Sequence, residues 1–319
     1  MPRIAVAEGD GIGKEVIPVA KRVLETVRPD LEFYPVEVGY GRWERTGEAI
    51  TPKEIQAMKE ADAVLFGAVT TPPDPCYGSV VVRMRKELDL YANVRPVKGG
   101  EADIIIVREN TEGLYAGIEE IGPDRATSVR VITRRGSERI ARFACSLAKE
   151  RRHLTIGHKA NVIKADTLFR EVTIGVAKEA GVPFQEKFID ALCLDVLLHP
   201  RNYDVIVTEN MFGDILSDVA AYLVGGLGML PSGNIGDRSA LFEPVHGSAP
   251  KHAGRNTANP VAAIRSAAML LEYLGDRENA ARIEEAIGRV LASGVKTRDL
   301  GGSAGTREMG EAVVSDLAK

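Results

Sequence analysis

The chain has 319 residues, of which 45% are hydrophobic and 27% are charged, and its formal net charge is −4. This length allows one large domain or two, the composition is that of an ordinary globular protein, and the acidic balance argues against nucleic acid as a partner. Cys76, Cys145 and Cys193 form neither a CxxC pair nor a zinc-ligand spacing, which favours a reducing, cytoplasmic setting. No apolar run reaches the length of a membrane span or a signal peptide, so no membrane partner is expected.

Apolar runs that predict strands alternate with amphipathic stretches that predict helices, a pattern typical of α/β proteins. The predicted strands are residues 4–7, 32–38, 63–66, 104–107, 154–158, 184–189 and 205–207. The predicted helices are one that follows a glycine-rich turn and ends near residue 26, and then 52–59, 80–88, 137–150, 166–180, 212–223, 260–274, 277–293 and 306–317. The glycine pairs at 99–100 and 225–226 are candidate crossing points between domains.

Residues 116–133 interrupt this alternation of strands and helices. They are polar and alternating, which predicts a β-arm that packs on a second subunit. A surface hairpin without a partner is the alternative.

Two acids four residues apart, Asp214 and Asp218, fall in the predicted helix 212–223. At that spacing both project from one helix face, one turn apart, where paired carboxylates suit a hard divalent cation such as Mg²⁺ or Mn²⁺. Asp214 comes soon after an apolar strand, and ligand sites in open α/β sheets form at the carboxyl ends of strands. Asp190, which ends another strand-like run, is a third candidate. Two solvated helix acids are the alternative explanation.

Three arginines, Arg85, Arg95 and Arg108, occur in successive segments of the chain. Because a guanidinium grips carboxylates with a forked pair of donors, three converging arginines indicate a substrate with more than one carboxylate. Lys159 directly follows an apolar strand and is a candidate base, and Tyr115 is a candidate acid. The alternatives are surface charge for the arginines and a packing role for the tyrosine.

Six stretches of the chain resemble the β-decarboxylating dehydrogenases, the family of isocitrate, homoisocitrate and 3-isopropylmalate dehydrogenases. They are residues 8–13 (EGDGIG), 90–97 (LYANVRPV), 107–115 (VRENTEGLY), 158–162 (HKANV), 210–218 (NMFGDILSD) and 242–250 (FEPVHGSAP). They follow the family order and span nearly the whole chain. The resemblance implies a two-domain α/β fold with a central mixed sheet flanked by helices, which is not an ordinary Rossmann fold. The large nucleotide-binding domain would comprise residues 1–91 and 225–319, and the small domain residues 92–224 with the dimer arm at 116–133.

The resemblance also implies a role for each candidate residue. Asp214 and Asp218, with Asp190 of a neighbouring subunit, would hold Mg²⁺ or Mn²⁺. The three arginines and Ser79 would bind the substrate, Lys159 of the neighbouring subunit would take its hydroxyl proton, and Tyr115 would protonate the enolate after carbon dioxide leaves. Since two roles come from the neighbour, a homodimer with shared active sites is expected.

Gly9-Asp-Gly-Ile-Gly13 is not the dinucleotide fingerprint G-x-G-x-x-G, which argues against an ordinary dinucleotide-binding fold. The resemblance implies instead that the cofactor lies against the loop 246–250. In the resembled family the contacts fall at Thr70, Glu243, His246, Gly247 and Asn259. NAD-dependent members usually carry Asp-Ile after Ser-Ala-Pro, whereas this chain has Lys251-His252, and Arg298 replaces a proline further on. Positive charge suits the 2′-phosphate of NADP, so NADP is expected rather than NAD. Basic surface residues without a ligand are the alternative.

The substituent that distinguishes substrates should face the helix that begins after Ser79. Isocitrate enzymes usually have Ser-x-Asn there, but this chain has Val81, and a Val81/Val82 pair suits an isopropyl group. The Thr70-Thr-Pro and Arg-Glu-Asn-Thr-Glu-Gly motifs are more like isocitrate and homoisocitrate enzymes, which are favoured here over 3-isopropylmalate dehydrogenase. A catalytically silent regulatory subunit is a remote alternative, since such paralogues lose residues that this chain keeps.

Overall fold

The structure is a computed structural model, and it describes residues 1–74 and 77–319. Cys76 lies outside the described residues, and Cys145 and Cys193 are free thiols. By internal contacts the chain divides into two compact units, Met1–Leu88 with Gly225–Lys319, and Asp89–Val224. We call them the first and second unit. Gly225 begins the returning segment of the first unit, whereas Gly99 and Gly100 lie inside the second unit. The functions expected of the two domains stay predictions.

The described part of the chain forms twelve strands. They are β1 (Arg3–Gly9), β2 (Glu32–Pro35), β3 (Ala63–Ala68), β4 (Ala92–Gly99), β5 (Ala102–Glu109), β6 (Gly113–Ile121), β7 (Ala126–Val131), β8 (Leu154–His158), β9 (Phe184–Phe188), β10 (Val205–Thr208), β11 (Pro231–Ile235) and β12 (Ala240–Pro244).

Eleven α-helices are described beside them. They are α1 (Gly13–Val27), α2 (Tyr40–Thr46), α3 (Pro52–Lys59), α4 (Val80–Glu87), α5 (Arg134–Lys149), α6 (Ala165–Glu179), α7 (Ile189–Leu198), α8 (Asn210–Ala220), α9 (Val261–Tyr273), α10 (Arg277–Ala292) and α11 (Thr306–Leu317). No described helix is both long enough and apolar enough to span a membrane.

In the first unit the strand order is β2-β1-β3-β12-β11. The pairs β1–β2, β1–β3 and β3–β12 are parallel, and β11–β12 is antiparallel. The sequence of α1 explains its packing, because Val16, Ile17, Ala20, Val23 and Leu24 recur at helical spacing and are all buried. Strands that run parallel need helical crossovers, which is why helices alternate with strands along the chain.

In the second unit the order is β4-β5-β10-β8-β9. The β4–β5 pair is antiparallel and the pairs β5–β10, β10–β8 and β8–β9 are parallel. The fold is therefore α/β with a mixed sheet flanked by helices, as the resemblance implies. Strands β6 and β7 form a separate antiparallel hairpin, which both the β-arm and the surface hairpin without a partner predict. Packing of this hairpin on a second subunit stays a prediction.

Several elements differ from the sequence prediction. The strand expected at 32–38 ends at Pro35, and the helix expected at 212–223 begins at Asn210 and ends at Ala220, followed by a 3₁₀ turn at Ala221–Val224. The sequence analysis missed α2, α7, β4, β11 and β12. Strand β4 contains a proline and buried polar side chains, and β11 (PSGNI) contains proline, serine, glycine and asparagine, so neither has the composition of an ordinary strand.

Candidate active site

Two neighbouring strands of the second unit carry the buried arginines Arg95 and Arg108. They lie on β4 and β5, whose register pairs Arg95 with Ile106 and Asn93 with Arg108. Arg108 is only 2% exposed and Arg95 5%. A buried guanidinium requires an acceptor for its donors, and the helix α8 beside β5 supplies acceptors to both.

Asp214, in the first half of α8, receives three hydrogen bonds. Its Oδ1 accepts from Nη1 of Arg108 and, at 3.2 Å, from Nη1 of Arg95. Its Oδ2 accepts from the Tyr115 hydroxyl at 2.9 Å. The Arg108 guanidinium also lies 5.4 Å from the centre of the Tyr115 ring. One metal-ligand candidate, two of the three arginines and the candidate acid thus form one contiguous cluster, here called the Asp214 cluster and defined by Arg95, Arg108, Tyr115 and Asp214.

Side-chain amides and hydroxyls hold the arginines of this cluster in place. The Oδ1 atom of Asn210 accepts from Nε of Arg108 at 3.0 Å and from Nη2 at 2.7 Å. Asn93 and Ser217 accept from Arg95 at 2.8 and 2.6 Å. These three polar residues were missed in the sequence analysis. A signal for Asn210 was available, since it is a polar residue at the junction of a buried strand and the helix that carries the acids.

Asp218 lies one helical turn beyond Asp214, as predicted from the spacing. Its Oδ1 is 3.8 Å from Nη1 of Arg95, and its side chain is 56% exposed, against 34% for Asp214. Burial and then the neighbouring Asp214 raise the pKa of the Asp218 carboxyl, with Arg95 opposing them. Two partly exposed carboxylates supply oxygen atoms only, and this donor set fits a hard divalent cation.

The third acid, Asp190, lies elsewhere on the second unit. It sits in the first turn of α7, where the Lys159 ammonium donates to its Oδ1 and lowers the pKa of the carboxyl. Among the described residues, no three histidine, cysteine or acidic side chains of one chain are grouped closely enough to hold a metal. Within a single chain, therefore, Asp190 pairs with Lys159 and does not join Asp214 and Asp218.

The remaining arginine, Arg85, lies on α4 of the first unit. Its Nε donates to Oδ1 of Asn234 at 3.2 Å, and its Nη2 donates to Oε1 of Glu243 at 3.4 Å. Asn234 in turn donates to the same Glu243 oxygen at 2.8 Å. Ser79 caps α4 by accepting from the backbone N–H of Val82 at 3.4 Å, which leaves the hydroxyl proton to donate.

A cavity of about 480 Å³ in the first unit contains half of the predicted cofactor residues. His246, His252, Asn259 and Arg298 line it, whereas Thr70, Glu243, Gly247 and Lys251 are not among its lining residues. The Thr70 hydroxyl instead lies 2.8 Å from the hydroxyl of Ser248, which belongs to the loop 246–250. Cofactor binding by these eight residues stays a prediction.

The same cavity is lined by two charged residues that the sequence analysis missed, Arg255 and Asp299. Asp299 is engaged locally, because it accepts from Asn259 at 2.9 Å and from the Thr297 hydroxyl at 2.6 Å. Burial lowers the pKa of His246, and its Nε2 atom is buried with no hydrogen-bond partner among the described residues. The cavity therefore combines a neutral imidazole with three side chains that can carry positive charge, His252, Arg255 and Arg298.

Comparison with known proteins adds independent findings. The model of the isocitrate/isopropylmalate dehydrogenase family matches residues 3–313. An isocitrate/homoisocitrate dehydrogenase of Thermus thermophilus is 48% identical over 99% of this chain and 98% of its own length. A 3-isopropylmalate/3-methylmalate dehydrogenase of Methanocaldococcus jannaschii is also 48% identical, over 98% of both chains. The crystal structure of isocitrate dehydrogenase from Methylococcus capsulatus superposes with a TM-score of 0.96 at 40% identity, covering 100% of each chain.

These likenesses show the class of the protein: the chain is an oxidoreductase, a β-decarboxylating dehydrogenase. It belongs to the isocitrate/isopropylmalate dehydrogenase family, whose members are metal-dependent, use NAD or NADP with Mg²⁺ or Mn²⁺, and act on small hydroxy acids.

Proposed function

We propose that this protein oxidises and decarboxylates isocitrate or homoisocitrate, with NADP as hydride acceptor and Mg²⁺ or Mn²⁺ as the metal. The Asp214 cluster is the observation that carries the proposal. It brings a metal-type carboxylate, two buried arginines and a tyrosine hydroxyl within hydrogen-bond distance of one another, which is the chemistry that a hydroxy polycarboxylate needs. The named activity of the Thermus thermophilus relative supports the same substrates.

Asp214 and Asp218, joined by Asp190 of a second copy of the chain, are the residues that would hold the metal. A bound divalent cation lowers the pKa of a substrate hydroxyl and stabilises negative charge on the enolate. Arg95 and Arg108 bind and orient the substrate carboxylates, and their burial excludes water that would compete for the same anions. Pre-organised cations in a water-poor site cost little reorganisation during the reaction.

Two groups of this chain move protons. Lys159, acting as the neutral amine in the active site of the second copy, accepts the proton of the substrate hydroxyl as hydride leaves the carbon. Tyr115 donates its phenolic proton to the carbon that loses carbon dioxide, and the Asp214 cluster holds that hydroxyl in a fixed direction. Positioned acid–base groups of this kind contribute about 10²–10⁴ in rate.

A homodimer completes these sites, and the second unit has a surface suited to one. Large apolar side chains are exposed on the hairpin β6–β7 and on helices α7 and α8. They are Ile118 (53% exposed), Ile121 (82%), Val129 (47%), Leu194 (60%), Leu198 (61%) and Ile215 (50%). Contiguous exposed apolar surface is characteristic of protein–protein contacts. Light scattering should give twice the 34.4 kDa chain mass, and a monomeric active enzyme would overturn the shared-site proposal.

The NADP preference rests on the positive lining of the cavity in the first unit. His252, Arg255 and Arg298 can all donate to a 2′-phosphate. Asp299, the one acid among the described residues of the lining, is already hydrogen-bonded to Asn259 and Thr297. Each charge-assisted bond to an exposed cation is worth about 1.4 kcal/mol, or about tenfold.

The cofactor proposal is tested by measuring kcat/KM with NADP and NAD. The double variant Arg255→Met/Arg298→Met should lower kcat/KM for NADP about 10²-fold and leave that for NAD within about threefold. Arg277→Met, an exposed arginine at the start of α10, is the matched control and should change neither value. A wild-type enzyme that prefers NAD, or equal losses with both cofactors, would overturn the proposal.

The alternative substrate is 3-isopropylmalate, which one observation favours. Val81 and Val82 are half-buried on the first turn of α4, beside Ser79, and could pack against an isopropyl group. The name of the Methanocaldococcus jannaschii relative points the same way. A panel of isocitrate, homoisocitrate, 3-isopropylmalate and malate, assayed with both cofactors and Mg²⁺ or Mn²⁺, decides between them by kcat/KM. Absence of turnover with every acid would instead favour a silent regulatory subunit.

A further inference from the structure

A buried ionic cluster lies in the second unit outside the proposed catalytic residues. It consists of Arg130 on β7, Asp166 in the first turn of α6, and Glu209 just before α8. We call it the Arg130 triad. Its side chains are 10%, 0% and 2% exposed, so three ionisable groups are removed from water together. Ion pairs within the triad offset part of the cost of burying these charges, but the guanidinium nitrogens of Arg130 and Oδ1 of Asp166 have no hydrogen-bond partner among the described residues.

The Asp166 side of the triad reaches the proposed base. The Nη2 atom of Arg130 is 2.5 Å from Oδ1 of Asp166. The other carboxylate oxygen, Oδ2, accepts the backbone N–H of Lys159 at 2.7 Å. The Asp166 side chain therefore connects Arg130 to the main chain of Lys159, the residue proposed to act in the active site of the second copy.

The Glu209 side of the triad reaches the helix of the metal acids. Nη2 of Arg130 is 3.2 Å from Oε1 of Glu209, and that oxygen accepts the backbone N–H of Phe212 at 2.9 Å. Glu209 is thus the N-cap of α8, the helix that carries Asp214 and Asp218. The Arg130 guanidinium also lies 4.7 Å from the centre of the Phe212 ring, which fixes its plane against the first turn of the helix.

We infer that Arg130 is a positioning residue that couples two active sites, because it holds in one cluster the lysine given to the partner and the metal acids of its own site. The inference rests on the proposed function for the roles of Lys159, Asp214 and Asp218. It goes beyond that function by assigning a task to an arm residue that touches neither substrate nor metal. Because Arg130 lies on the hairpin, its contacts also link both sites to the arm expected at the subunit contact.

The geometry of the triad requires the guanidinium of Arg130 and not merely a positive charge. A planar guanidinium can face two carboxylates and a ring at once, whereas an ammonium is a point charge that cannot match all three. Without any cation, two buried carboxylates would face each other, and each caps or anchors a different catalytic element. Arg130→Met should therefore disturb both elements, and Arg130→Lys should restore part of the loss.

Hybrid dimers separate the two effects. One chain carries Lys159→Met and the other Asp214→Asn, with different affinity tags. A hybrid then has a single complete site, made of Asp214 and Asp218 from the first chain and Asp190 and Lys159 from the second. Arg130→Met is then added to either chain. Arg125→Met, an exposed arginine of the same hairpin, is the matched control. Arg130→Lys guards against a methionine variant that does not fold.

On the chain that lends the lysine, Arg130→Met should lower kcat about 10²-fold with little change in the half-saturating Mn²⁺ concentration, because displacing a catalytic group by about 1 Å costs that much. On the chain that lends the acids, it should raise the half-saturating Mn²⁺ concentration about tenfold. Arg130→Lys should recover part of each loss. Equal effects from both placements, an effect from only one, or effects no larger than those of Arg125→Met would overturn the inference.

Hydrogen exchange provides a readout that does not depend on activity. In the full-length Arg130→Met protein the backbone amides of Lys159 and Phe212 should exchange at least tenfold faster, while the amides of the first unit keep their rates. If the parent hybrid is inactive, the shared site of the proposed function has failed. The exchange rates then still decide the coupling: unchanged protection of either amide overturns it.

Discussion

A single methyl group at position 213 should dislodge the helix that carries the metal acids. Gly213 lies in α8 directly before Asp214, and a Cβ atom there would fall 2.6 Å from Cβ and 2.7 Å from Cγ of Arg108. Ordinary carbon contacts begin at 3.4 Å, so α8 and β5 would have to separate by about 0.8 Å. Arg108 cannot swing aside, because it is buried and held by Asn210 at both Nε and Nη2.

The expected sizes follow from this geometry. Alanine is favoured over glycine inside a helix by about 1 kcal/mol, but overpacking a close contact costs about 1–3 kcal/mol. The free energy of unfolding should therefore fall by up to about 2 kcal/mol in Gly213→Ala. The bond from Arg95 to Asp214 is already 3.2 Å long and would be lost with the shift. A displacement of about 1 Å at such a group typically costs about 10²-fold in kcat/KM.

Gly175→Ala is the matched control. Gly175 is an exposed glycine of α6 with open space around the position of its Cβ, so alanine there should stabilise the protein by up to about 1 kcal/mol without changing activity. Urea unfolding and kcat/KM at saturating Mn²⁺ are measured for both variants. If Gly213→Ala unfolds like Gly175→Ala and keeps kcat/KM within about twofold of the wild type, the contact with Arg108 does not set the position of Asp214.

Three further outcomes are expected. Tyr115→Phe should lower kcat by about 10²–10⁴ while Mn²⁺ affinity stays within threefold, and a loss of less than fivefold in kcat would contradict its role as the proton donor. Ile121→Asp at the end of β6 should raise the dimer dissociation constant at least tenfold by sedimentation, with activity falling in parallel on dilution. Asp204→Asn should lower the free energy of unfolding by about 1–3 kcal/mol at pH 7. Burial alone would raise the pKa of Asp204, but hydrogen bonds from Arg151 and from the backbone of Arg152 and His153 outweigh it and hold the pKa below its ordinary value. The stabilising effect of this carboxylate is thus fully present above the pKa that Asp204 has in the unfolded chain, and it is lost as pH falls through its pKa in the folded protein. The free energies of unfolding of wild type and variant, measured by urea titration, should therefore converge in acid. A difference between them that does not change with pH would contradict this prediction.

The helices and the regular parallel strands could be predicted because each depends on a local pattern. Helix α3 matches its predicted bounds, since Thr51 and Glu54 form a capping box and Lys59 stands in its last turn. Strand β8 is a short apolar run that is buried along its whole length, and it matches as well. Such elements follow from propensity and burial within a few neighbouring residues.

The missed elements depend on partners distant in sequence. Strand β4 buries Asn93 and Arg95 only because α8 supplies Asp214 and Ser217, more than a hundred residues later. Strand β11 buries Asn234 because β12 and α4 supply Glu243 and Arg85. Polar residues that serve a site break the apolar alternation by which strands are recognised, so the prediction fails at the functional positions.

For the candidate site, the spacing of Asp214 and Asp218 was sufficient to place both on one helix, and it could not place Asp190 relative to them. In the proposed dimer Asp190 of the second copy approaches these two acids, and a single sequence carries no local signal of that relation beyond the arm. Arg255 was missed although it follows Lys251 and His252 in the same loop, because nothing in the pattern indicated which of these cations faces the cavity.

The bonds from Arg95, Arg108 and Tyr115 to Asp214 have a consequence for how ligands bind. A cation that binds this carboxylate must compete with Arg95 and Arg108, and each buried arginine that is released would lose its ion pair with Asp214 and keep its bonds to neutral acceptors. Substrate carboxylates offer those arginines replacement partners. Metal and substrate therefore exchange ion pairs rather than fill empty positions, and each should tighten the binding of the other by the same factor. Either ligand binding alone would break ion pairs between Asp214 and the two arginines without replacing them. Neither ligand alone therefore gains the full binding free energy of the complex with both.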